Sequence, residues 1–160
     1  MTPSAAVRPA REEADPFDGA LGFVRLLWQV NHGLQAASKQ MERDLGITGP
    51  QRLVVRVLGS SPGMTPGQLA RTLHLDPGTI TGVVQRLRRA GLVRRAVDPH
   101  DGRRFLLALT TSGKQLVARR TGTIEERAEA ALAALAPDEV AAAHRALAAV
   151  AAALADSHAE

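Results

Sequence analysis

Seven residues between positions 78 and 89 have the chemistry to meet a polyanionic surface that also offers hydrogen bonds: Gly78, Thr79, Thr81, Gly82, Gln85, Arg86 and Arg89. They are the positions left over once Ile80, Val83, Val84 and Leu87, at i, i+3, i+4 and i+7, are assigned to the buried stripe of a helix. Glycines near the helix start allow close approach of the backbone. Hydroxyls and the Gln85 amide offer donors and acceptors to base edges, and arginine reaches guanine or phosphate. The amides of the helix N-terminus add a site for phosphate. A solvated surface helix carries the same residue types, so the neighbouring segments have to decide.

The segment that follows narrows the choice. Leu92 to Val97 is short, partly β-branched and Arg-containing, Asp98-Pro99-His100-Asp101-Gly102 is rich in turn formers, and Phe105 to Leu109 is a second apolar run; together they predict a two-stranded hairpin. Its tip carries Arg103 and Arg104, placed to enter a narrow, electronegative minor groove. Asp101 is out of place in a loop that only collects positive charge, and it reads as an orienting partner that grips an Arg103 fork by charge-assisted hydrogen bonding. His100 reads as a phosphate contact, and Arg94 and Arg119 as contacts that hold any duplex alike.

These groups need a scaffold, and the chain supplies one. Phe17, Leu21, Val24, Leu27 or Trp28, Leu34 and Met41 predict a long amphipathic helix to about Asp44, with Gly46 as its C-cap. Thr48 and Pro50 open a second helix carrying Leu53, Val54, Val57 and Leu58, which ends at the turn 59–63. Thr65 and Pro66 open a third, short helix with Leu69, Ala70 and Leu73 inward, and Gln68 in its first turn joins Thr65 among the DNA-contact candidates. Asp76 followed by Pro77 opens the fourth, which Gly91 ends. Two short capped helices and a tight turn make a helix-turn-helix pattern. Beyond the hairpin, Thr110 or Thr111 caps a fifth helix expected to run on until Pro137, where an Ala-rich sixth helix begins and continues to about Asp156. Residues 1–16 lack apolar periodicity and are expected to be a disordered tail.

Composition removes whole classes of function. The chain has 160 residues and no Cys, which excludes disulfide frameworks, thiolate nucleophiles and Cys-based zinc sites. No apolar run is long enough for a membrane span and no signal-peptide pattern is present, so a cytoplasmic protein without membrane contact is expected. His32, His74, His100, His144 and His158 make no close metal-binding pair, and no nucleophile motif of the Gly-x-Ser-x-Gly kind occurs; neither metal, cofactor nor enzymatic activity is expected. The formal charge of +4 conceals a strong asymmetry: residues 71–120 hold 11 basic and 3 acidic side chains, whereas residues 121–160 hold 2 and 7. A basic block of this kind, confined to the predicted helix-turn-helix and hairpin, suits a local polyanion contact.

Across Leu69 to Thr110 the chain resembles the MarR family of winged helix-turn-helix regulators. The resemblance is carried by Leu69-Ala-Arg-Thr-Leu-His-Leu75, Thr79-Ile-Thr-Gly-Val-Val-Gln-Arg-Leu87, Ala90-Gly-Leu-Val-Arg-Arg95 and Asp98-Pro-His-Asp-Gly-Arg-Arg-Phe-Leu-Leu-Ala-Leu-Thr110, and by order of elements it extends over Leu21 to Leu154. It implies a mainly α (α+β) fold, with a winged helix-turn-helix lobe at 46–111 between dimerisation helices at 17–45 and 112–158. It also implies a homodimer presenting two reading helices to a pseudo-palindromic double-stranded DNA operator, Thr79, Thr81 and Arg86 on the recognition helix, Arg103 as the minor-groove residue and Asp101 as its orienter. The residues point to a dimer on their own account, because a winged helix needs only 46–111 and the remaining helices require a further apolar surface. The family likeness further suggests a small-molecule effector. Trp28, His32 and Arg52 are the candidates to hold it, and an anionic aromatic compound is the expected class. The competing reading is a winged-helix module that binds nucleic acid non-specifically or docks another protein.

Overall fold

The computed structural model describes residues 19–155. The expected tail at 1–16, the helix start at Phe17, His158 and the end of the last helix lie outside the described residues. Seven helices and one hairpin follow in order: α1 (Gly19–Leu45), α2 (Gly49–Ser60), α3 (Pro66–Leu73), α4 (Pro77–Arg89), β1 (Val93–Val97), β2 (Phe105–Leu109), α5 (Thr111–Ala118), α6 (Ile124–Leu132) and α7 (Pro137–Ala155). This is the mainly helical winged helix-turn-helix that the residue pattern predicts.

The helix starts follow from side-chain chemistry. Thr65 closes a capping box on α3: its hydroxyl accepts from the Gln68 amide at 3.2 Å and its own amide donates to Gln68 Oε1 at 2.8 Å. Asp76 caps α4 by accepting from the Thr79 amide at 2.8 Å. A proline stands in the first turn of α2, α3 and α4, where its missing N–H costs nothing. Between α3 and α4, His74 takes a left-handed conformation (φ 50°) that a glycine usually holds, turning the chain within three residues.

In the hairpin, β1 and β2 pair antiparallel from Val93 opposite Leu109 to Val97 opposite Phe105. Met64 adds an isolated bridge to Leu107, which ties the turn before α3 to the wing. Gly91 (φ +69°) follows the end of α4, and Thr110 locks that end to the next element: its hydroxyl donates to the Gly91 carbonyl at 2.6 Å and accepts from the Gly113 amide at 3.1 Å.

One helix expected to be continuous is broken. The segment after Thr110 stops at Ala118 and restarts at Ile124, with Gly122 at φ +79° and Thr123 as the new N-cap. The physical cause is Arg52 on α2, only 2% exposed, whose Nη1 donates to the Leu116 carbonyl at 2.5 Å and whose Nη2 donates to the Arg119 carbonyl at 2.8 Å. A guanidinium that takes the terminal carbonyls of α5 ends the helix there. Thr123, 1% exposed, then accepts from the Glu126 amide to start α6.

The described chain falls into two compact units that divide after Ala36, inside α1. The second holds the core: Ile47, Val54, Val55, Leu58, Leu69, Ile80, Val84, Leu87, Val93 and Leu107, together with Met41 from the end of α1 and Leu116 from α5. In α6 and α7 no described side chain is fully buried.

Candidate nucleic-acid interface

Burial of Ile80, Val83, Val84 and Leu87 turns the opposite side of α4 outward, so Thr79, Thr81, Gln85, Arg86, Arg88 and Arg89 are all exposed. Their hydrogen bonds separate them into two kinds. The Thr79 hydroxyl donates to Asp76 Oδ2, the Thr81 hydroxyl donates to the Pro77 carbonyl at 2.8 Å, and Arg86 Nε donates to the Gly82 carbonyl at 3.2 Å. Thr79 and Thr81 therefore use their protons to build the first turn of α4. Gln85, Arg88 and Arg89 commit no side-chain hydrogen bond or ion pair among the described residues. The Thr79 hydroxyl and amide together hold the Asp76 carboxyl below the ordinary carboxylate value, keeping the cap ionised.

The hairpin tip is ordered by its own backbone. Asp98 Oδ1 accepts from the His100 amide at 2.9 Å, the Asp98 amide donates to the Arg104 carbonyl at 3.0 Å, and the Arg104 amide donates to the Asp101 carbonyl at 2.9 Å. Here one expectation is corrected. Asp101 does not grip the Arg103 guanidinium; its Oδ1 accepts from the Arg103 backbone amide at 3.0 Å. The carboxylate shapes the turn that projects Arg103, as Asx side chains do two residues ahead, and leaves the guanidinium exposed.

Arg104 belongs to a feature that residue spacing did not single out. With Thr65, Pro66, Arg95 and Phe105 it lines an open cleft of about 320 Å³ between the start of α3 and the wing. The Arg95 guanidinium lies 5.6 Å from the centre of the Phe105 ring, a cation–π distance that fixes its direction. Arg95 pairs with Leu107 and is therefore the diagonal neighbour of Phe105, a relation contained in the hairpin register once the loop is known to span 98–104. Thr65 lines the cleft and, with Gln68, is satisfied through the capping box. Arg94 is exposed on β1.

The expected ligand residues do not all keep that role. Arg52 was expected to bind an anionic effector, but its guanidinium is spent inside the protein: Nε donates to Glu125 Oε1 at 2.9 Å, and the remaining nitrogens meet the carbonyls of Leu116, Val117 and Arg119. Arg56 Nε reaches the same Glu125 oxygen at 3.5 Å. Burial pushes Glu125 upward, but its own backbone amide and the two guanidinium groups outweigh burial and leave it below the ordinary value. Trp28, 69% exposed, and His32 are both exposed on α1. Among the described residues, no group of three or more His, Asp or Glu side chains is placed to hold a metal ion, and no helix is long and apolar enough to cross a membrane.

Comparison with known proteins gives a consistent answer. Residues 45–104 match the family model described as MarR family. The HTH-type transcriptional repressor Rv2887 of Mycobacterium tuberculosis is 31% identical over 107 residues, which is 67% of this chain and 76% of that protein. The HTH-type transcriptional regulator TtmR of Methylorubrum extorquens is 31% identical over 113 residues, 71% of this chain and 57% of that protein. Among solved structures, the S. aureus MepR–DNA complex superposes with a TM-score of 0.71 at 25% identity, covering 82% of this chain and 97% of MepR. The PcaV transcriptional regulator of Streptomyces coelicolor, solved in complex with its natural ligand, gives 0.66 at 32% identity, covering 94% of this chain and 99% of PcaV.

Proposed function

The chain belongs to the MarR family of transcriptional regulators, and from that membership we propose that it is a dimeric, sequence-specific DNA-binding repressor without enzymatic activity. The observation that carries this reading is the pairing of a capped, glycine-fronted α4 whose outward side holds Gln85, Arg86 and Arg89 with a wing whose turn projects Arg103. In this reading α4 enters the major groove and Arg103 enters the adjacent minor groove, while Arg94, Arg104 and the start of α3 hold the phosphate backbone. Likeness to a DNA-bound MepR supports it, as does the repressor named among the relatives.

Dimerisation is inferred from the uncovered apolar side chains of the outer helices, including Leu26 and Val30 on α1 and Leu147 and Leu154 on α7. An effector is proposed as the release signal, because PcaV was solved with a natural ligand. Trp28 and His32, one helical turn apart, remain the pair to contact an anionic aromatic compound. A thermal-shift series with phenolic acids tests that arm, with a raised Tm expected for a binder and an unchanged Tm across the series counting against it.

The decisive test of the main reading is in vitro selection from a random duplex pool. Recovery of an inverted repeat, with half-sites about one helical turn apart, is the expected result. An unenriched pool with equal affinity for all duplexes would instead establish the non-specific module.

A further inference from the structure

The exposed side of α4 is not uniform, and its hydrogen bonds and geometry single out one residue. At about 3.6 residues per turn, Gly78, Gly82, Gln85 and Arg89 fall on one line along the helix, opposite the centre of the buried stripe. That line is the part of the helix surface reaching furthest toward a groove floor. Gly78 and Gly82 contribute no side chain of their own, so Gln85 is the first side chain that grows from the line itself, beside the Arg86 guanidinium that folds back over Gly82 with Nη2 3.3 Å from where a Cβ would stand. Thr79 and Thr81 lie to either side of the line, with their hydroxyl protons committed to Asp76 and to the Pro77 carbonyl. Arg86 also lies to one side, with Nε committed to the Gly82 carbonyl. Gln85 is exposed and its amide has no partner among the described residues.

From this division we infer that Gln85 is the specificity-determining residue of α4, and that it reads an adenine in each half-site. A glutamine amide presents one donor and one acceptor side by side, which matches adenine N7 and N6 in the major groove and no other base edge equally well. Arg89, one turn further toward the C-terminus, where a reading helix rises out of the groove, meets a phosphate and carries no base preference. The inference rests on the proposed entry of α4 into the major groove.

The test compares the wild-type chain with Gln85→Ala, Gln85→Arg, Thr81→Val and Arg89→Ala by selection from a random pool and by titration on the wild-type site. The wild type is expected to enrich an adenine at one position of each half-site. Gln85→Ala should lose preference at that position alone and weaken binding by about 5- to 150-fold per half-site. Gln85→Arg should move the same position toward guanine. Thr81→Val should leave the enriched bases unchanged, and Arg89→Ala should keep them while reducing the slope of log affinity against log salt by about 0.9 per half-site, about 1.8 for the dimer. A Gln85→Ala profile identical to wild type, or loss of the same base in Thr81→Val, would overturn the assignment while leaving DNA reading intact. Failure of the wild type to enrich any sequence would overturn the parent reading as well.

Discussion

Each charged side chain of the reading lobe acts through what its neighbours leave it. Arg103 keeps its guanidinium exposed because Asp101 engages the backbone, so Arg103→Ala should remove a groove contact without disturbing the turn. The expected loss is about 1–3 kcal/mol of operator affinity, read by fluorescence anisotropy at fixed salt, and full retention would remove the wing arginine from the interface. Asp101→Ala should weaken binding by a different route, loosening the turn, with a rise in local backbone mobility by NMR that Arg103→Ala does not share. Asp76 gives a pH signature. Its carboxyl sits below the ordinary value in the folded protein, so its contribution is complete above the unfolded carboxylate pKa of about 4 and is lost as pH falls through the lower folded value. Asp76→Asn should flatten that part of the acid limb in urea melts collected from pH 5 downward. Residue types alone placed most of these groups on the right elements. They misassigned Asp101, because an Asx bond to the backbone and a fork to arginine call for the same spacing, and they could not show which hydroxyls on α4 were already used.

Most element ends set locally were legible, and the end of α5, set from a distance, was not. Thr65, Asp76 and Thr110 announce the starts of α3, α4 and α5 through contacts within three residues, and the alternation around the turn 98–104 announces the wing. The end of α5 at Ala118 is set by a guanidinium more than sixty positions away in sequence, which no helical periodicity can reveal, whereas the restart carries a local signal in Gly122 followed by Thr123, whose hydroxyl accepts from the Glu126 amide. Arg52→Met should therefore orphan the α5 carbonyls and the Glu125 carboxylate, lowering stability by about 2–4 kcal/mol in chemical denaturation. Arg52→Lys should rescue little, since one ammonium cannot span three carbonyls and a carboxylate. A second hidden junction lies at Gly113, where an added Cβ would stand 2.1 Å from the Leu92 carbonyl oxygen. Gly113→Ala should cost about 1–3 kcal/mol by forcing α5 away from the end of the reading helix. Its effect on operator binding should exceed that of an equally destabilising substitution in α6, because Thr110 and Leu92 join α5 to both the wing and α4.

At the scale of the molecule, charge and apolar surface are segregated along the chain. The basic block at 71–120 coincides with the α4 and wing surfaces, whereas α6 and α7 carry most of the acidic excess that follows it. In the proposed complex the basic block neutralises phosphates and releases their counterions, so affinity should fall steeply with salt while the sequence preference persists. Apolar side chains follow the opposite distribution. The core around Leu58, Ile80 and Leu107 is complete within one chain, yet α7 buries none of its own described residues, and Leu147 and Leu154 stand 48% and 62% exposed. Both leucines lie seven residues apart, on one stripe of an Ala-rich helix whose small neighbours permit close packing. A helix of this composition gains little stability alone, and in the proposed dimer a second copy of the chain supplies the missing surface. Leu147→Glu combined with Leu154→Glu should convert the dimer to a monomer in sedimentation equilibrium while the near-native signal of the reading lobe survives. Operator affinity should then drop by far more than Arg103→Ala removes, because the two half-sites lose their mutual tether and each lobe binds with only its own contacts. A double variant that sediments as a dimer and binds as wild type would place the subunit contact elsewhere on the chain.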